Sequence, residues 1–329
     1  MSDSSHWLVE HGIGEVRAAL VREGAIVKAR IEPEDGALRV GAVVDAVLAA
    51  TGRMPRLTLA AGGGEAMLDA APAGLSIGRP LRVVVTRMAL REGRLRKLPK
   101  VTLAPEGAAS GPGPSLADRV AASGVPVRVC AAHQPDALEA AGWSEVLAEA
   151  ASGEVAFAGG LLRIALTPAM TVIDVDGDGA ADALAVAAAA AAGQAIVRLG
   201  IAGSIAIDFP TLAGKGPRQA AAQALDTALA DAGAGPFERT AINGFGLLQL
   251  VRPRRRPSLL ELAAADPVGM AARAQLRCWE RDPPPGPARR PAPGAVARWL
   301  ADRPALVAEL HRRTGNAAPI TDISRQREG

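Results

Sequence analysis

Two short apolar runs, "MTVIDVD" at 170–176 and "SIAIDF" at 204–209, carry aspartates at their ends and are separated by an Ala-rich stretch of helical type. A strand, a helix and a second strand in that order pair in parallel through a right-handed crossover, which brings both strand ends to the same edge of one sheet. Asp174 and Asp176 are two residues apart, so their side chains share a face. With Asp208 they form a candidate hard, oxygen-only site suited to Mg²⁺, with Mn²⁺ as a substitute. An ion held there activates water and stabilises charge on a phosphoryl group.

The surrounding sequence supports an α/β layer from residue 154 onward. "LLRIALT" reads as a strand turning into the first of these runs, 181–199 and "PRQAAAQALDTALADAG" read as helices, and "FERTAI" and "FGLLQLV" close the sheet. Residues 12–104 look all-β, because "GAIVKARI", "AVVDAVLAA", "PRLTLAA" and "PLRVVVTRMAL" are separated by Gly-containing turns, and this suggests a small barrel. The Gly/Ser/Pro-rich "PEGAASGPGPS" links it to a helix capped by Ser115. "VPVRVCAA" follows as a strand and "PDALEAAGWSEVLAEAA" as one helix. Near the end, "RDPPPGPARRPAP" is a stiff extended linker and "AVARWLADRPALVAELHRRTG" is helical with a bend at Pro304. The expected division is 1–104, 105–153, 154–265 and 266–329.

Aromatic residues make up only 2% of the chain and Tyr is absent, so its cores must be built from small aliphatic side chains. The net charge is a modest +3, but the positive charge is almost all Arg, with Lys only at 28, 97, 100 and 215. Codon bias alone can raise Arg content, so clustering matters more than totals. Eight basic residues between Arg79 and Lys100, including Arg94, Arg96 and Lys97, face only Glu92, and a solvated hairpin is the bland alternative. Arg252, Arg254, Arg255 and Arg256 follow the last apolar strand, and Lys215 opens a helix where it can contact a phosphate. Such runs suit phosphate oxygens, which Arg recognises with a planar fork.

Cys130 and Cys278 are too few and too far apart for a disulfide framework or a zinc site, so a reducing compartment is the simplest expectation and no zinc is expected. The first residues have no basic and apolar leader, and the uncharged run 183–197 is too short for a span, so no membrane partner and a cytoplasmic location are expected. The four His residues make no metal or catalytic spacing. Two alternatives stay open for the aspartates. Each can be a turn former or helix cap. "IDVDGDG" with Asp182 also imitates a calcium loop through its ninth position, but the twelfth is Ala185.

"GGLLRIALTPAMTVIDVD", "LGIAGSIAIDF" and "NGFGLLQLVRPRRRPSL" occur in an order that resembles the catalytic region of the ribonuclease E/G family, over about 159–259. The resemblance implies that Asp174 and Asp208 stand for the family's magnesium-binding aspartates and Asp176 for the Asn that orients them. It also implies an oligonucleotide-binding (OB-like) barrel upstream, Arg128 at an RNA 5′-phosphate pocket, an Arg-rich segment near the active site, and single-stranded RNA as partner. The fold class expected is therefore a mixed α+β and α/β multidomain chain: OB-like barrel, catalytic-type α/β domain with a mixed sheet, and C-terminal helical segment.

Several departures bear on chemistry. Val129 replaces a hydroxyl residue, the stretch from Arg128 to Asp174 is short, the barrel stretch "PRLTLAAGGGEAMLDAAP" lacks aromatics, and Thr211 stands where a second acidic residue is usual. Two functions follow: a Mg²⁺-dependent endoribonuclease, and a non-catalytic RNA-binding protein of the same descent. The oligomeric state is not readable.

Overall fold

Short runs rich in Val, Leu, Ile and Ala form the first strands, β1 (His6–His11), β2 (Glu15–Arg22) and β3 (Ala25–Pro33), which pair in succession as antiparallel neighbours. The structure is a computed structural model that describes residues 5–60, 64–70, 74–92, 95–283, 285 and 289–323. Five of the next strands close into a barrel: β4 (Val43–Ala50), β5 (Arg56–Leu59), β6 (Glu65–Leu68), β7 (Pro80–Arg87) and, after the hairpin of β8 (Leu90–Glu92) and β9 (Leu95–Lys97), β10 (Lys100–Leu103). Val44, Leu48, Leu57, Leu68, Val83 and Val101 fill it, so the core is aliphatic throughout. The strands of 12–104 therefore do not form one barrel, since β1 to β3 lie in a separate sheet.

Helix α1 (Leu116–Ala121) starts at Ser115, whose side chain and that of Asp118 form a reciprocal capping box. Strand β11 (Val127–Cys130) then returns to pair in parallel with β1, giving the order β11-β1-β2-β3. The expected single helix after it is two, α2 (Ala137–Ala140) and α3 (Trp143–Ser152). Gly142 between them sits at φ 96°, a left-handed conformation that only glycine adopts without strain, and this stops the first helix.

The second sheet has six strands: β12 (Glu154–Phe157), β13 (Gly160–Leu166), β14 (Thr171–Gly177), β15 (Gly203–Asp208), β16 (Glu238–Arg239) and β17 (Leu247–Arg252), in the order β12-β13-β14-β15-β17-β16. Helix α4 (Ala181–Arg198) is the crossover between the parallel pair β14 and β15, and α5 (Lys215–Asp231) follows β15. "FERTAI" contributes only the two residues of β16. Helix α4 packs along α5 and also meets β3, β12, β13 and β14, so one hydrophobic cluster joins both sheets. A helix apolar on most sides belongs in such a sandwiched place. Its length and hydropathy also pass as a membrane span by composition, but here its apolar residues serve the core.

Helices α6 (Leu259–Ala265) and α7 (Pro267–Arg281) occupy a stretch to which the sequence pattern above assigns no element. Beyond them β18 (Arg290–Ala292) pairs with β19 (Ile320–Asp322), and α8 (Gly294–Ala301) and α9 (Pro304–Thr314) meet at the bend before Pro304. Residues 284 and 286–288 of the Pro-rich linker lie outside the described residues. Trp279 is buried with Ile13, Leu276, Val296, Leu300 and Leu310, which fastens the C-terminal helices to the turn between β1 and β2. The whole is a mixed α+β fold with several sheets and one closed five-stranded barrel.

Candidate functional site

Strand β14 alternates Thr171, Ile173 and Val175 toward the helical layer with Val172, Asp174 and Asp176 toward the open face. Strand β15 does the same with Ile205 and Ile207 against Ser204, Ala206 and Asp208. The register pairs Asp174 with Asp208. Neighbouring strands lie about 4.8 Å apart, so these two exposed carboxylates stand side by side on one face. Val172 and Ala206 pair beside them, half-buried and buried, so the exposure is at the carboxylates themselves.

The hairpin adds a cation. Arg163 on β13 is the cross-strand partner of Asp174, and its Nη1 donates to Asp176 Oδ2, with Glu154 Oε1 4.0 Å from its Nε. Asp176 is thus held by Arg163 while Asp174 and Asp208 remain a pair. Among the described residues no group of three or more His, Cys, Asp or Glu side chains converges on a point. The donor set fits an ion held by two carboxylates that keeps several waters, the usual way Mg²⁺ is bound. It is smaller than the three-carboxylate set expected from sequence.

At the mouth of this pair lies the turn before β17. Asn243 Oδ1 accepts from the backbone N–H of Phe245 and of Leu247, an Asx turn. Gly246, at φ 92°, lies against the Phe209 carbonyl, where a Cβ would collide. Leu247 is the register partner of Asp208. The turn therefore holds Phe245 two residues before the partner of Asp208, with 86% of the residue exposed. Sequence reasoning passes over this phenylalanine; the signal available is an aromatic residue in a polar Asn-Gly-Phe-Gly turn, where no core can claim it. Lys215 is exposed at the start of α5, beyond the end of β15.

The Arg-rich segment is elsewhere. Asp208 faces Leu247 at the start of β17, whereas Arg252 faces Gly203 at its end. At about 3.4 Å per strand residue, the arginines begin roughly 17 Å from the carboxylates, so the structure does not bring the expected Arg groove beside the acidic pair. Two of the four serve the fold. Arg252 donates to the carbonyls of Ile201 (2.7 Å) and Ala234 (2.5 Å), and burial lowers its pKa. Arg254 pairs with Glu261, whose other oxygen caps α6 through Ser258. Arg255 and Arg256 line a cavity of about 1450 Å³, with Arg96 and Arg252 also on its lining.

Arg96 and Lys97 are exposed on β9, and their hairpin docks on the Arg segment, where Met88 N–H donates to the Arg255 carbonyl at 2.9 Å. Arg94 lies outside the described residues. Arg128 is exposed on β11 opposite Leu8, in the other sheet. No protein-family model and no curated protein matches the chain.

Proposed function

We propose that the chain is a Mg²⁺-dependent endoribonuclease that hydrolyses single-stranded RNA, a shortened relative of the ribonuclease E/G family. The observation that carries this reading is the registered pair of exposed aspartates, Asp174 and Asp208, on the open face of a sheet. Those two would hold the ion, Mg²⁺ or Mn²⁺. Bound there, it supplies a water of lowered pKa and neutralises charge on the phosphodiester. The protein's own groups do the rest. Arg163 holds Asp176 in place and presents its remaining N–H groups to a non-bridging phosphate oxygen. The exposed Phe245 ring offers a stacking surface for a base, tolerant of sequence.

The barrel supports the same reading. Its first strand lies between the second and the fourth, and its third runs parallel to its fifth, an arrangement suited to an OB-like oligonucleotide binder. Lacking aromatics, it would contact RNA through charge, with Arg96 and Lys97 nearby and Arg255 and Arg256 beyond.

A non-catalytic RNA-binding protein is the second reading, favoured by Arg163, whose guanidinium beside Asp174 and Asp176 partly neutralises them without an ion. Incubating a labelled A/U-rich single strand with the protein separates the two. The enzyme yields Mg²⁺-dependent fragments whose downstream ends carry 5′ phosphates, and both EDTA and Asp208→Asn abolish them. Equal background from the wild type and Asp208→Asn, with binding that survives EDTA, overturns the nuclease in favour of the binder.

A further inference from the structure

The large cavity lies between β3, α1, the β8–β9 hairpin and the segment after β17. One wall is unusually cationic, formed by Arg30, Arg119, Arg255 and Arg256. Carboxylates also line the cavity, Glu34, Asp35, Glu261, Asp266 and Asp302 away from this wall, and the one beside it, Glu32, is already spent. Glu32 Oε1 accepts from Arg39 Nε (2.9 Å) and the Leu116 N–H (3.1 Å), and Oε2 accepts from Arg119 Nη2 (2.9 Å).

Arg30 is occupied too, since its guanidinium donates to the carbonyls of Val197 and Arg198 at the C-terminal end of α4. It completes the helix end, where orphan carbonyls and the helix dipole favour a cation. The Nε atoms of Arg252, Arg256 and Arg273 on this lining are buried without an acceptor, but Arg252 and Arg273 have other partners, whereas among the described residues the side chain of Arg256 makes no hydrogen bond or ion pair. Burial first, then the positive charges of Arg119 and Arg255, lower its pKa to about 10 despite Glu32. Burial and neighbouring arginines lower Arg30 to about 10 as well.

A half-buried guanidinium with no partner is costly, and proteins retain such groups where a ligand supplies the missing charge. The donors are forked, the neighbours are arginines, and the void is wide enough for more than one tetrahedral anion. We propose that this cavity is a phosphate-binding site centred on Arg256, with Arg119 and Arg255 as its other walls, about a strand's length from the aspartate pair. Its ligand chemistry is a phosphate dianion or a phosphodiester chain. The source is either the backbone of a nucleic-acid strand or a free polyphosphate.

The site rests on the proposed RNA contact of Arg255 and Arg256 but makes no use of Asp174 or Asp208, so its failure removes that contact and leaves the metal-dependent cleavage reading standing, and failure of cleavage leaves this site standing. Thermal unfolding and isothermal titration of the full chain with pyrophosphate, and separately with a short single-stranded oligonucleotide, test it. The wild type is expected to bind at least one of the two and to melt at higher temperature with it. Arg256→Gln without ligand is expected to melt no lower than the wild type, because it removes an uncompensated buried charge, yet to bind about tenfold or more weakly. A structural arginine would behave in the opposite way. Arg255→Gln, on the exposed rim, weakens binding without changing the melting temperature.

Pyrophosphate that competes with the oligonucleotide assigns the site to a nucleic-acid backbone. Binding of pyrophosphate alone assigns it to a free polyphosphate, and binding of the oligonucleotide alone, lost in Arg256→Gln, to the strand. The proposal is overturned if the wild type binds neither at millimolar concentration, or if Arg256→Gln binds as the wild type does.

Discussion

Charge pairing decides what individual residues can do here. Asp174 and Asp208 are adjacent and exposed, Asp176 is held by Arg163, and Arg252 and Arg254 are consumed by backbone carbonyls and Glu261. The strand-end aspartates are readable from sequence because a period of two and a strand-helix-strand order place them on one face and at one edge. The fates of the arginines are not, because "RPRRR" is locally uniform and only the tertiary partners separate its members. Arg163 itself stands in a legible strand, but its role depends on hairpin register. Since it opposes a cation at the pair, Arg163→Gln is expected to lower the Mg²⁺ concentration that gives half-maximal cleavage while leaving the fold intact. A higher requirement would instead make Arg163 a support of the metal site. Loss of a ligand should cost more than the ~10–100-fold typical of groups that merely orient ligands, so Asp174→Asn is expected to reduce cleavage by more than that, as measured by initial rates.

At the scale of elements, Ala-rich α4 is the piece on which the site is mounted. Gly193 lets it approach α5 so closely that a Cβ there would lie 2.8 Å from the Ala228 Cβ and 3.2 Å from the Leu225 carbonyl oxygen. Gly193→Val is therefore expected to destabilise by about 1–3 kcal/mol through overpacking, read as a lower urea midpoint with an unchanged slope. An unchanged midpoint would mean that the two helices are not this close. Scarcity of aromatics makes such contact necessary, and that much is visible in composition. Less visible are the glycine break in "PDALEAAGWSEVLAEAA" and helix α6. Asp266 ends α6 and caps α7, accepting from the Gly269 N–H at 2.9 Å, with Pro267 at the first helical position. The seven residues of α6 are too few to show a helical period, whereas the 15 of α7 carry one in Ala272, Leu276 and Trp279, legible in sequence behind the Asp-Pro start.

Over the whole molecule, the N-terminal sheet, α2 and α7 are tied by ions. Arg17 is fully buried, donates to Glu10 (3.1 Å) and to Asp136 (2.8 Å), and stacks its guanidinium 5.3 Å from the Trp143 ring; Arg281 pairs with the same two carboxylates. These partners are distant in sequence, which is why the boundary expected near residue 104 does not separate independent layers: β11 crosses back to β1. Removing one member of a buried pair costs about 3–5 kcal/mol, so Arg17→Leu is expected to fall in that range by urea unfolding. Asp136 is pushed up by burial, but the Arg17 hydrogen bond and further backbone and charge contacts outweigh this and hold its pKa below the ordinary value. Its contribution is therefore complete above the ordinary aspartate range and is lost only as pH falls through the depressed value. Compared with the wild type, Asp136→Asn should lose stability near neutrality and converge with it only in strong acid.

The central claim concerns two carboxylates from neighbouring strands and one divalent cation. Calorimetric titration with Mn²⁺ reads it directly, without RNA. One ion per wild-type chain, weakened in both Asp174→Asn and Asp208→Asn, is the predicted result. Binding that is absent in the wild type, or equal in all three proteins, would contradict it.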